Sequence, residues 1–428
     1  MYNHYKKMFL LLLLTSMGLA VQAQTDTNFI RTDLALDQYL NKVGKQNLGY
    51  IATQYDVSIA DAGIESAKVF PDPELSIGVY DNQQASLHLG RGYNAGLSNI
   101  FELGGKRSAR IGLAKSQADL SKALLQDYFR NLRADAALAY YSALQQYCQY
   151  KVMLDSYHTM KQLADADSIR YKLGAIMEVD ARQSKLEAGN LLNTLYQGEA
   201  DWKTALVQLN LFMGKEQHDT LAFPTGDFEH LNRNFPLMNM IDNAQNNRAD
   251  VVAAKGNKTV AEKTLKLAKA NRKIDLGVNA GYQYNGESTN EIAPTPMYKS
   301  VNAGIAIPLK FSNAYKGELK AARYAIQQSA TQYDQVLLQI STEVTQAYMN
   351  YEAAQKQVSQ YRSGLMTEAA KVLEGKIYSY KRGETSLLEV LNAQRTYNDI
   401  QQSYYQSLYN YAATLINLER SAGIWDLQ

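Results

Sequence analysis

The chain has 428 residues and a single cysteine, Cys148. One thiol cannot close an internal disulfide, so oxidative stapling plays no part in this fold. Proline is scarce and clustered: Pro71, Pro73, Pro224, Pro236, Pro294, Pro296 and Pro308 are all there are. Residues 74–223 and 309–428 therefore lack it altogether. Proline breaks helix interiors, so these two gaps are where long helices can form. Charge of one sign is missing too. Removing Lys6 and Lys7 with the leader leaves 42 basic residues against 42 acidic ones, which gives no bulk attraction for nucleic acid or an anionic surface.

Beyond the N-terminus there is no apolar run long enough for a transmembrane helix. A membrane protein of this composition has one remaining route through lipid, a closed β-barrel. The N-terminus reads as an export signal. Lys6 and Lys7 precede an apolar core from Met8 to Ala20, and Val21-Gln22-Ala23 has the small residues of a cleavage site. The mature chain is expected to start at Gln24.

What the chain does contain is an internal duplication. Asn94-Ala95-Gly96-Leu97 recurs as Asn302-Ala303-Gly304-Ile305, and Ala139-Tyr140 as Ala347-Tyr348, both at an offset of 208. Tyr171-Lys172-Leu173-Gly174 recurs as Tyr380-Lys381-Arg382-Gly383 at 209, as do Leu209 and Gly214 in Leu418 and Gly423. Earlier in each copy the offset is 201, where Leu75 to Val79 answers Leu276-Gly277-Val278. The second copy thus has about seven extra residues between its strands, at Asn285 to Pro296. The expected organisation is a signal peptide (1–23), a first repeat (24–223) and a second repeat (224–428).

Each repeat has the same order. A helix is expected at 33–68 and again at 240–271. A strand hairpin follows, at 74–101 and 274–309. On one face lie Ile274, Leu276, Val278, Ala280, Tyr282 and Tyr284, and on the other Asp275, Gly277, Asn279, Gly281 and Gln283. Val301, Ala303, Ile305, Ile307 and Leu309 answer them, as Leu75, Ile77, Val79 and then Tyr93, Ala95, Leu97 do in the first copy. Such alternation suits a half-buried soluble strand or a barrel strand with a wet lumen.

A long helical hairpin closes each repeat, at 105–214 and 313–423. Leu337, Ile340, Val344, Ala347, Tyr351, Ala354, Val358, Tyr361 and Leu365 keep a 3,4 alternation over four heptads. Leu120, Leu124, Tyr128, Leu132, Ala136, Ala139, Ala143 and Tyr147 give a looser version. The stripes are narrow and flanked by polar residues, which fits helices standing side by side with a wet face. Gly174 and Gly383 are expected at the distal turns as helix C-caps.

Two hairpins supply four strands, too few to close, since membrane barrels begin at eight. A membrane role therefore demands oligomerisation, and three chains would supply twelve strands.

The tract Tyr380-Lys381-Arg382-Gly383-Glu384-Thr385-Ser386-Leu387-Leu388-Glu389-Val390-Leu391-Asn392-Ala393-Gln394 closely resembles the periplasmic turn of TolC-type outer-membrane efflux proteins. So does Leu418-Glu419-Arg420-Ser421-Ala422-Gly423. Glu102-Leu103-Gly104-Gly105-Lys106-Arg107 looks like the strand-to-helix junction of the branch serving heavy-metal, RND-type pumps. The resemblance implies a mainly α fold with a small β part. It also implies a homotrimer in the outer membrane, with a twelve-stranded barrel in lipid continued by a periplasmic α-helical barrel. Its implied partners are a periplasmic adaptor and an inner-membrane pump, with no cofactor and no nucleic acid. The function implied is the exit duct of a tripartite efflux system. A duct for type I protein secretion and a soluble periplasmic coiled-coil adaptor stand as alternatives.

That family often carries acids just past the turn glycine. Here the sixth position beyond it is Asp180 in copy one and Glu389 in copy two. Three further on stand Gln183 and Asn392, where a second aspartate is common. Asp180, Glu389, Asn392 and Thr385 are thus the expected gate residues, the acids forming a cation-attracting ring or simply favouring helix starts. Gly174 and Gly383 are expected to meet the adaptor. Tyr80, Tyr93, Tyr282, Tyr284 and Tyr298 are expected in an interfacial girdle. The mature histidines, His88, His158, His218 and His230, show no ligand spacing, and no nucleophile-base-acid set stands out. The chain reads as non-enzymatic.

Overall fold

A computed structural model describes residues 30–83, 87–216, 220–229, 231–310 and 313–426. The signal peptide, His218 and His230 lie outside the described residues. The chain folds as two compact units, one built from residues up to Tyr39 with Ala139–Asp227, the other from Leu40–Leu138 with Phe228–Gln428.

The elements run in the same order in each half. The first has β1 (Ile30–Leu34), α1 (Leu36–Gln46), α2 (Leu48–Lys68), β2 (Glu74–Asp81), β3 (Arg91–Phe101), α3 (Lys106–Lys172) and α4 (Glu178–Phe212). The second has β4 (Thr220–Pro224), α5 (Leu237–Asn247), α6 (Ala249–Asn271), β5 (Leu276–Asn285) and β6 (Tyr298–Ala306). It continues with α7 (Ala314–Gln360), a π-helical segment (Tyr361–Leu365), α8 (Met366–Lys381) and α9 (Leu387–Ala422).

The single helices expected at 33–68 and 240–271 are each two helices. Asn47 has extended backbone (ψ 120°), and its side chain accepts from the Tyr50 amide at 2.9 Å, so it ends α1 and caps α2. Arg248, 201 residues on, is likewise extended (ψ 141°) between α5 and α6. Residues 33 and 34 belong to β1 rather than to a helix.

In the first unit β1 pairs in parallel with β4, Ile30 opposite Thr220 and Leu34 opposite Pro224. Both strands dock on the helices. The Tyr140 hydroxyl reaches the carbonyls of Leu34 (2.9 Å) and Thr225 (2.6 Å), and Asn210 Nδ2 donates to Thr220 O at 3.0 Å. Trp202 packs on Tyr147, Tyr150 and Phe223, with ring centroids 5.0, 5.2 and 5.5 Å away. Nothing in the sequence pattern signalled this small sheet, because each strand is short and pairs with a partner about 190 positions away.

The second unit holds the four-stranded antiparallel sheet, in the order β2-β3-β5-β6, and the second helical hairpin. Its helical core comes from the heptad positions of α7 and α9. Ile340, Val344, Tyr351, Ala354 and Val358 are buried, as are Leu408, Tyr411, Leu415 and Leu418. The stripe stops there. Gly364 takes φ 125° inside the π-helical segment, and Leu365 beyond it is exposed. A π bulge shifts the helical phase, so the pattern that looked continuous to Leu365 loses its face. In α3 the 67 residues run unbroken, about 100 Å at 1.5 Å per residue. Its outer heptad positions Leu124 and Tyr128 are nevertheless exposed.

Candidate functional site

Two features can carry function: the sheet, and the turns that join the long helices. In the sheet Leu75 stands opposite Leu97, Ile77 opposite Ala95 and Val79 opposite Tyr93. Tyr93 stands opposite Tyr284, and Val278 opposite Ile305. The period-two alternation of all four strands therefore falls into register, giving one apolar face. The opposite face carries Ser76, Gly78, Asn94, Gly96, Ser98, Asn279, Gly281, Gln283, Asn302 and Gly304. A shallow depression of about 250 Å³ is lined largely by that polar set.

Glycine on the polar face has a specific use. Asn94 lies over Gly78, Asn302 over Gly281 and Asn279 over Gly304, each on its cross-strand partner, so close that a Cβ there would overlap the amide. The repeated Asn-Ala-Gly tract is the sequence trace of this packing, although its role was not legible there. The tyrosines split between the faces. Tyr93, Tyr282 and Tyr284 cluster on the apolar side, with centroids 5.2–6.3 Å apart. Tyr80 and Tyr298 lie on the polar side, because their strand positions have the other parity, and the Tyr80 hydroxyl bonds Asn285 Oδ1. The five do not form a single girdle.

Each helical turn is built by the same backbone device. Gly174 (φ 75°) donates to Tyr171 O at 2.8 Å, and Ala175 to Arg170 O at 2.8 Å. Gly383 (φ 79°) donates to Tyr380 O at 3.0 Å, and Glu384 to Ser379 O at 2.9 Å. These are Schellman closures, which need a left-handed residue at the glycine. Asp180 and Glu389 occupy the third position of α4 and α9, where the helix dipole favours an acid.

The two acids are not alike. Glu389 Oε2 is 2.5 Å from Lys376 Nζ on α8, whereas Asp180 has no ion-pair partner among the described residues. Thr385 is half-buried and Asn392 exposed. Around the first turn Leu173, Met177 and Val179 are exposed apolar side chains. Among the described residues no three His, Cys, Asp or Glu side chains converge to hold a metal ion. No described helix is long and apolar enough to cross a membrane.

A sheet apolar on one face and polar on the other, open at both edges, in a chain that also carries two long helical hairpins, fits the subunit of an oligomeric outer-membrane channel. Comparison with known proteins agrees. Residues 240–424 match the model of the family described as outer membrane efflux protein. The cobalt-zinc-cadmium resistance protein CzcC of Cupriavidus metallidurans is 23% identical over 363 residues, 85% of this chain and 84% of that protein. The solved structure of CusC, described with transmembrane channel formation, superposes with a TM-score of 0.75 at 17% identity over 95% of this chain and 96% of its own. The CmeC outer membrane channel of Campylobacter jejuni gives 0.75 at 13% identity, over 95% and 90%. The chain is thus similar to outer-membrane efflux channels along most of its length, and residues 240–424 carry the match to the outer membrane efflux protein family.

Proposed function

We propose that this channel is the exit duct for an RND-type pump that expels divalent metal ions, handed over through a periplasmic adaptor. The observation that carries the reading is the likeness to a cobalt-zinc-cadmium resistance protein along 85% of the chain. The strand-to-helix junction Glu102 to Arg107 supports it. There Glu102 is held by Arg110 and Lys106 by Asp275, an ion-paired base for the sheet.

In this reading 24–223 and 224–428 act as structural repeats, the apolar sheet face meets lipid, and the asparagine-lined face meets water and cargo. Asp180, Glu389, Asn392 and Thr385 line the periplasmic mouth. Gly174 and Gly383 set the turns that the adaptor grips, with Leu173, Met177 and Val179 offering it apolar surface. Deleting the gene and exposing cells to metal ions, bile salts, dyes and antibiotics tests the cargo. Hypersensitivity to cobalt, zinc or cadmium is expected. Sensitivity confined to dyes, bile salts or antibiotics would refute a metal duct while leaving the channel itself intact.

A further inference from the structure

The sheet has two open edges, β2 and β6, and an edge in lipid must be covered. The chain already contains one seam between hairpins, β3 against β5, in which Gly96 faces Gly281 and Phe101 faces Leu276. At its foot Asp275 takes Lys106 Nζ at 2.5 Å and the Leu103 amide at 3.2 Å, while Arg110 holds Glu102 at 2.7 and 3.1 Å. The duplication makes this seam a template. Moving β3 onto β6 by 208 residues and β5 onto β2 by 201 converts it into a seam between two copies.

We infer that β6 of one copy pairs antiparallel with β2 of the next, in the register that sets Ile305 opposite Val79, Ile307 opposite Ile77, Leu309 opposite Leu75 and Lys310 opposite Glu74. This rests on the trimeric reading and adds to it which residues close the ring.

Three observations carry it. The six apolar residues are all exposed in a single chain, Ile77 at 74%, Val79 at 84% and Ile305 at 70%, and they share the apolar parity, so the transferred register continues that face without a break. Lys310 and Glu74 share the polar parity. The charge also changes in the right sense. In-chain, the positions equivalent to Lys310 and Glu74 are Glu102 and Asp275, two acids that need Arg110 and Lys106 to neutralise them. Between copies the lysine meets the acid directly, and opposite charges across a strand pair are favourable. Within one chain Glu74 has no ion-pair partner among the described residues. Lys310 donates to Asn271 O at 2.6 Å and Lys273 O at 3.0 Å, which leaves a third ammonium hydrogen for the carboxylate. Beside Lys310, Arg272, Lys316, Lys320 and Arg323 line a cleft of about 680 Å³ with no acid in its wall, so the foot of the β6 edge presents positive charge to an edge that begins Asp72-Pro73-Glu74.

The specific competitor is a slip of two residues, because the in-chain hairpins differ by that much: Gly78 pairs with Asn94, but Gly281, not Asn279, pairs with Asn302. The slip would set Asp72 opposite Lys310. Cysteine pairs in a Cys148→Ser background separate the two, since a disulfide needs Cα atoms about 5.5 Å apart. Lys310→Cys with Glu74→Cys and Leu309→Cys with Leu75→Cys are both made, because alternate pairs of an antiparallel ladder lie closer. Oxidised outer membranes should give covalent trimers that reductant collapses to monomers, from at least one pair. Cross-linking of Lys310→Cys to Asp72→Cys instead, or of neither pair in a chain that still runs as a trimer in mild detergent, overturns the register. A Cys148→Ser chain that never forms a trimer overturns the trimeric reading itself. Independently, Lys310→Glu should lower the temperature at which the trimer dissociates, and adding Glu74→Lys should restore it. An unrestored double variant counts against the pair.

Discussion

The Glu389 carboxylate lies 2.5 Å from the Lys376 ammonium, an ion pair between the two helices that meet at the Gly383 turn. Its counterpart in the first repeat, Asp180, has no such partner among the described residues. The repeats therefore carry acids at matching positions with different neighbours. A paired, exposed glutamate contributes little field, and an exposed pair is worth at most about 1 kcal/mol.

Single-channel recording separates the two acids. Asp180→Ala should reduce cation selectivity and weaken block by divalent or trivalent cations. Glu389→Ala should do less, and should leave Lys376 as an added positive charge that disfavours cations slightly. Equal, large losses from both variants would mean that the Glu389–Lys376 pair opens in the assembled trimer.

Gly174 and Gly383 sit at φ 75° and 79° with open space where a Cβ would go, so a side chain there meets backbone strain rather than a clash. The left-handed region costs a non-glycine residue roughly 1–2 kcal/mol, and more when it is β-branched. Gly174→Val and Gly383→Val should still give trimers by gel filtration, because the sheet and the helical core are remote in sequence from these turns. Adaptor capture in a pull-down should fall several-fold. Normal capture and transport by both variants would count against adaptor contact at the turns.

The Tyr351 hydroxyl accepts from the Arg233 amide at 2.8 Å and donates toward the carbonyls of Leu231 and Arg233, at 3.0 and 3.1 Å. One phenol thus satisfies much of the buried backbone of a proline-flanked connection. Tyr351→Phe should cost on the order of 1–3 kcal/mol, the penalty of leaving buried polar groups unpaired. The sensitive readout is limited trypsin digestion, which should speed up after Arg233 while cleavage elsewhere stays unchanged.

Acid should loosen the second unit through Asp250. Burial alone would raise its pKa, but hydrogen bonds and charge from Arg248, with further charge from Arg130, outweigh burial and hold it below the usual carboxylate value. A carboxyl whose pKa is depressed by folding stabilises the fold fully above its unfolded value, about 3.9, and loses that contribution as pH falls through the lower folded one. Stability should therefore drop steeply below about pH 4. Asp250→Asn should lower stability at pH 7 and flatten that acid limb in a pH series of thermal melts. The loss should be on the order of 1–3 kcal/mol, because Arg248, only 4% exposed, keeps just Glu343 and the Ser421 carbonyl.

Much of this architecture is written locally. Alternation in Leu276–Asn285 and Tyr298–Ala306, the absence of proline from two long tracts, and glycine at 174 and 383 each act within a few residues or one element. Strand faces and turn positions were accordingly legible, and the recurring offsets pointed to two copies of the same order of elements. Tertiary structure decided what depends on distant partners. It paired Ile30–Leu34 with Thr220–Pro224, broke the last heptads at Gly364, and gave Glu389 the ion-pair partner Lys376 while Asp180 has none among the described residues. Composition and period report what a residue prefers, whereas an ion pair or a strand register is fixed by which other segment the folded chain brings beside it.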